Sequence, residues 1–419
     1  MLNKIETSKR QTSPITDQGK SFDRKDRKDM PLEAVRGLAA FSVVFWHSMY
    51  AFFPRWTGAF PEYWPMSVSL RGEIWFGLIQ GIAAVSFFFV LSAFVLTRRY
   101  FLTRDPDIII RGAVKRWPRL AGPVIVAVLF SLLLFKTGAY HFKGAGAETH
   151  SSWLATFGWA VPFTPHFWDA FSLGAFFTFF RGDIYYDTSL WTMKIELIGS
   201  FMAYGLALLI APLLGQRRYV ALFMIIMSLL LCYYTAPWYV AFPIGVGIAA
   251  FLPTRETMTL PVWSVIALLL IAIYFLGYSG VAIGAFVLPA KIFSCDPMYL
   301  HLFGSILIIL AIELAPDSIR NRLSGRIARG LGKISFPLYL VHVLVLFSLG
   351  SAALLWTKTW WTDGARVPSV VGEATTIVGA TLVAIPLAYF NEYWTKLVNR
   401  IVNRLMARTP TTEDPLASG

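Results

Sequence analysis

Long apolar runs broken by short polar, mostly basic segments set the pattern of this chain. The run Leu32–Phe53, LEAVRGLAAFSVVFWHSMYAFF, is as long as the roughly 20 helical residues that cross a hydrocarbon core of about 30 Å. Nine more runs of this kind follow, so the pattern predicts ten spans: 32–53, 74–97, 120–138, 191–214, 218–235, 237–252, 261–278, 300–316, 334–356 and 369–391. The fold class is therefore an all-α polytopic membrane protein with about ten transmembrane helices in one bundle. Residues 139–190 are aromatic and apolar, but Pro162, Pro165, His166 and Asp169 interrupt them. We read them as an aromatic cap on the non-cytoplasmic face, partly re-entrant.

Charge orients the bundle. Segments on the side of the N-terminus hold 27 Lys and Arg residues against 8 on the other side. The positive-inside bias then predicts both termini in the cytoplasm. Residues 1–30 read as a disordered basic tail, 31–395 as one transmembrane domain, and 396–419 as a cytoplasmic tail.

Composition agrees and excludes other classes. The chain of 419 residues is 56% hydrophobic, 15% charged, and has a mean hydropathy of +0.58. The net charge of +13 sits in the short loops, which is topology and not a nucleic-acid footprint. Cys232 and Cys295 form neither a disulfide framework nor a metal-ligand spacing, so no metal is expected. No apolar signal-peptide core, glycosylation sequon or strong internal repeat is visible.

A charge at mid-membrane costs about 2.5–3.5 kcal/mol, so each polar residue within a span needs a reason. Arg36 and His47 are eleven residues apart, which returns to the same helix face about 16 Å further along. Snorkelling to headgroups is the plain alternative for Arg36, and packing for His47. Glu196, one to two turns into the fourth span, is expected at the depth of His47, where it would orient the imidazole of a general base. Its alternative is an interfacial pair with Lys194 or a neighbouring helix. Ser335, Tyr339 and His342 share one side of the ninth span, with helix bridging as an equal reading. The basic run Lys115, Arg116 and Arg119 sits where the third span is expected to begin, and clustered guanidinium groups suit a phosphorylated ligand. Arg98, Arg99 and Arg104 read as anchoring residues. A transporter using the same polar face as a substrate or proton path is the competing class, although no inverted repeat supports it.

Five motifs in series resemble the acyltransferase 3 family. LEAVRGLAAFSVVFWH resembles its first helix, with Arg, ten residues, then His. FFFVLSAFVLTRRYF resembles the second, with Ala93 where Gly is common. KRWPRL resembles the Arg-x-x-Arg element through Arg116 and Arg119. LWTMKIEL, from Leu190 through Trp191, resembles Leu-Trp-Ser-x-x-x-Glu, with Thr192 for Ser and Glu196 as the acid. GKISFPLYLVH resembles Ser-Tyr-x-x-Tyr-x-x-His, with Phe336 and Pro337 as departures. The long polar N-terminus resembles eukaryotic, fungal-type members. The resemblance implies transfer of an acyl group, often acetyl, from an acyl-CoA co-substrate to a hydroxyl of a glycan, lipid or small metabolite. His47 and Glu196 would then be catalytic. Arg36, Lys115, Arg116 and Arg119 would bind the coenzyme, with Ser335, Tyr339, His342 and Trp191 as substrate or supporting residues. The expected partners are the acyl donor, the acceptor and the lipid bilayer, with no nucleic acid. The expected membrane is that of the endoplasmic reticulum, the Golgi or the cell surface. Trp153, Trp159, Phe167 and Trp168 in the cap would either stack on an acceptor or pack at the membrane interface, the latter being slightly favoured.

Overall fold

A computed structural model describes residues 30–59, 64–254, 257–293, 295–361 and 366–407. Both tails lie outside the described residues, apart from Met30 and the stretch up to Ala407. Among the described residues the secondary structure is helical, without a strand, and a helix occupies each of the ten apolar stretches. These are α1 (Met30–Phe52), α2 (Gly81–Thr103), α3 (Pro106–Lys136), α4 (Trp191–Ile210), α5 (Arg218–Thr235), α6 (Ala241–Phe251), α7 (Val262–Gly277), α8 (Pro297–Glu313), α9 (Arg326–Val345) and α10 (Arg366–Ala407). Six are long and apolar enough to cross a membrane: α2, α3, α4, α5, α10 and α9 as it continues to Lys358. Helices α6 and α7 are shorter apolar elements, and α8 joins Gly284–Ile292 across a bend of 106°. The chain is thus a multi-pass membrane protein.

The connection between α2 and α3 differs from expectation. Asp105 caps α3 by accepting from the Asp107 N–H at 3.0 Å, and Pro106 occupies its first turn, so α3 begins fourteen residues before position 120. Helix α3 is about 46 Å long, and Arg116 and Arg119 lie in its third and fourth turns, not at its mouth. Arg98 and Arg104 are consumed as helix caps. Arg98 donates to the Ala249 and Leu252 carbonyls at the end of α6 at 2.9 and 2.8 Å, and Arg104 donates to the Ala211 carbonyl beyond α4. At the other end, α10 runs through position 395 without a break.

Helices α1 and α9 make the central pair. Gly37 permits it: a Cβ there would lie 2.5 Å from the Leu331 Cβ. The contacts Glu33–Gly332, Arg36–Ser335 and His47–His342 advance together, so the two helices run parallel. A second close approach joins α2 and α6. Ala93 stands fully buried against Gly245, where an added Cβ would meet the Ala93 methyl at 2.6 Å. The missing glycine of α2 is thus matched by one across the interface.

Residues 139–190 fold as short helices, Phe142–Thr149, Ser152–Ala155 and Phe167–Ser172, over one end of α1 and α9. The apolar helical run Phe167–Phe180 is about 21 Å long, too short to span a bilayer. Trp153, Phe157, Phe347 and Tyr140 form the aromatic core of this cap. Past Val345, helix α9 passes through a π turn at Leu346–Gly350, and the Phe347 carbonyl accepts from the His141 N–H of the cap at 3.0 Å. The insertion of one residue per turn therefore ties the cap to the helix that carries His342.

Candidate active site

Two imidazoles meet where α1 and α9 pass under the cap. His47 Nδ1 lies 2.9 Å from the Val43 carbonyl and 3.1 Å from His342 Nε2. His342 Nδ1 lies 2.7 Å from the Tyr339 carbonyl. A carbonyl can only accept, so both Nδ1 atoms carry the proton and both Nε2 atoms are bare. His342 Nε2 then receives the His47 Nδ1–H, shared with Val43. His47 Nε2 is left as a lone pair with no hydrogen bond to the described residues. His342 is fully buried, whereas His47 is partly accessible. The Trp153 indole stacks on the His47 ring at 5.5 Å and 28°, fixing its plane. The cap residue that touches the site is therefore Trp153, while Trp159, Phe167 and Trp168 are exposed.

Tyr339 ties this pair to the start of α4. Its hydroxyl donates to the Ser189 carbonyl at 2.7 Å and accepts from the Thr192 hydroxyl at 2.9 Å. Helix α9 continues through Pro337, so Ser335, Tyr339 and His342 stay on one inner side despite both departures from the family pattern. Trp191 is a packing residue, edge-on to Trp238 at 5.1 Å.

Glu196 does not serve His47. Its Oε1 accepts from Ser92 at 2.5 Å and forms a buried ion pair with Arg116. Arg116 also donates to Ser200 at 2.8 Å and to Ser92 at 3.0 Å. The expected Glu196–His47 contact is absent because α3 starts early and brings Arg116 to the level of Glu196. The strongest partner within reach takes the carboxylate. This leaves the neighbouring-helix alternative for Glu196, with α3 as that helix. Arg116 spends its Nε–H and its Nη2 protons on these three acceptors, and its Nη1 has no hydrogen bond to the described residues. Ser92 was missed, although a lone hydroxyl in FFFVLSAFVL was a signal, and Ser200, one turn after Glu196, was another.

The remaining cations are arranged unequally. Arg36 donates to Ser335 at 3.1 Å, to Glu33 at 2.5 Å and to the Gly332 carbonyl at 3.1 Å, which pins α1 to α9. Lys115 turns to Asn403 of α10 at 3.2 Å. Arg119 has neither a hydrogen bond nor an ion pair with the described residues, yet it is ringed by Arg116, Arg36, Tyr204 and Glu33. Its side chain is accessible. Two carboxylates, Glu33 and Glu196, pair with two guanidinium groups, and the Arg119 charge is the surplus. No cluster of potential metal ligands occurs among the described residues.

Together these features place a surplus guanidinium and a tautomer-locked imidazole in one helical bundle. The acyltransferase 3 family model, an acyltransferase domain, matches residues 32–390, and the chain belongs to that family. The protein is thus a membrane acyltransferase, which sets aside the transporter alternative. No curated protein matches the chain, and neither does any solved structure.

Proposed function

We propose that the protein moves an acyl group, acetyl by family resemblance, from acyl-CoA to a hydroxyl of a glycan, lipid or small metabolite, with His47 as general base. The observation that carries this reading is the bare, partly accessible His47 Nε2, held in its tautomer by Val43 and His342. His47 Nε2 takes the proton of the acceptor hydroxyl as its oxygen attacks the thioester carbonyl. The C–S bond of the resulting tetrahedral adduct breaks, the thiolate leaves, and the imidazolium returns the proton to sulfur. No nucleophilic side chain is needed.

Arg119 supplies the free guanidinium for a phosphate of the coenzyme, with Lys115 and Arg36 adding positive potential and Arg116 holding the wall. The axial separation of Arg36 and His47, about 16 Å, is comparable with an extended pantetheine arm. Both ends of the chain lie in the cytoplasm in this reading, so the donor enters from there. The parallel course of α1 and α9 supports an odd number of crossings between them. The test is purified protein in detergent with radiolabelled acetyl-CoA and a panel of polyols, glycans and hydroxylated metabolites. Formation of labelled ester by wild type but not by His47→Ala supports the reading. Equal ester formation by both proteins overturns it.

A further inference from the structure

Asp187 is fully buried at the joint between the cap and α4. Its Oδ1 accepts from the Ser189 N–H at 2.9 Å and from the Ser189 hydroxyl at 2.8 Å. Its Oδ2 is buried without a hydrogen-bond partner among the described residues. The tyrosines that sense its charge, Tyr140 and Tyr339, both direct their hydroxyls elsewhere: Tyr140 bonds with Ser131, and Tyr339 donates to the Ser189 carbonyl. With no cation beside it among the described residues, burial pushes the Asp187 carboxyl up to about 7. Such a group costs stability wherever it sits, and a bare turn needs no acid.

We propose that Asp187 is a positioning residue for the imidazole pair, acting through Ser189 and Tyr339 on the ring of His342. The chain of contacts is continuous. Asp187 Oδ1 grips both donors of Ser189 and thereby fixes the direction of the Ser189 carbonyl. That carbonyl holds the Tyr339 hydroxyl and so sets the rotation of α9 at this level. The Tyr339 carbonyl, on the same turn, holds His342 Nδ1–H. His342 Nε2 in turn accepts from His47. A rotation of α9 would release one of the two acceptors that hold the His47 proton on Nδ1, leaving Val43 alone, and the share of His47 with a bare Nε2 would fall. Oδ1 accepts whether or not the acid is ionised, so an amide at this position keeps the grip.

This inference rests on His47 being the base. The assay is steady-state acetyl transfer with Asp187→Ala, Asp187→Asn, Tyr339→Phe and the Asp187→Ala/Tyr339→Phe double variant, with His47→Ala alongside. Asp187→Ala is expected to lower kcat about three- to tenfold, within the loss that deleting His342 itself would cause, with KM for acetyl-CoA unchanged, and Asp187→Asn to restore kcat to within about twofold. Tyr339→Phe is expected to lower kcat at unchanged KM, with the double variant no worse than the lower single, because both act through one carbonyl. Wild-type kcat in Asp187→Ala, no rescue by Asn, or additive losses in the double variant overturns the proposal. Should Asp187→Ala fail to elute as a monodisperse peak, full activity in Tyr339→Phe overturns it instead. An active His47→Ala would remove the base reading itself, whereas an inactive one beside a normal Asp187→Ala removes only the role of Asp187.

Discussion

Two histidines in contact raise the question of which one takes the proton, and the geometry gives unequal answers. His342 spends Nδ1–H on the Tyr339 carbonyl and Nε2 on His47, and it is fully buried. His47 alone keeps a lone pair on an accessible atom. Removing a general base costs about 10²–10⁴ in rate. Removing His342 deletes one neutral hydrogen bond to His47, worth about 0.5–1.5 kcal/mol, while Val43 still holds the Nδ1 proton. At 1.36 kcal/mol per decade this is about a two- to thirteenfold loss. His47→Ala should therefore lose at least a hundredfold in kcat, and His342→Ala no more than about thirteenfold. His342→Gln, which offers an acceptor near the Nε2 position, should recover part of the difference. The assay is initial-rate ester formation from labelled acetyl-CoA, normalised to protein that elutes as a single symmetric peak. A folded His342→Ala as inactive as His47→Ala would show that the imidazoles act as one unit and refute the assignment.

Other expectations follow from the same contacts. Glu196→Gln leaves the Arg116 charge buried and unpaired, at a cost of about 3–5 kcal/mol. Its thermal midpoint in detergent should fall, and an Arg116→Met/Glu196→Met double substitution should recover most of that loss. A Glu196→Gln protein as stable as wild type would contradict the pairing. Arg119→Ala removes a charge-assisted contact worth about 1.5–3 kcal/mol, so KM for acetyl-CoA should rise about ten- to a hundredfold with little change in kcat. An unchanged KM would place the phosphates elsewhere. Gly245→Ala drives a Cβ to 2.6 Å from the Ala93 methyl and still closer to the Val90 carbonyl of α2, and should cost about 1–3 kcal/mol in a melting series; Ala93→Gly should not restore it, because the α2 backbone stays in the way.

Much of the architecture was legible in the chain because membrane helices are written as length and apolarity. A helix lies on each of the ten apolar runs, but α2 begins seven residues after 74, α9 begins eight before 334, α10 continues sixteen past 391, and α3 begins at Pro106. There the charges of Arg111, Lys115, Arg116 and Arg119 masked a helix that the Asp105–Pro106 cap starts. The cap was recognised by its interrupting prolines, but its contact with the site was not, since nothing local to Trp153 points at His47.

The sequence alone determined the class of fold, the family motifs and the shared face of Arg36 and His47, because these depend on local composition and helical spacing. Pairing was decided by tertiary structure. Which acceptor takes a guanidinium depends on the depth and rotation of helices distant in the chain. Arg116 reached Glu196 first, His342 rather than Glu196 became the partner of His47, and Arg119 was left without one among the described residues. A buried charge goes to the opposite charge that packing brings within reach, and spacing along one helix does not specify that neighbour.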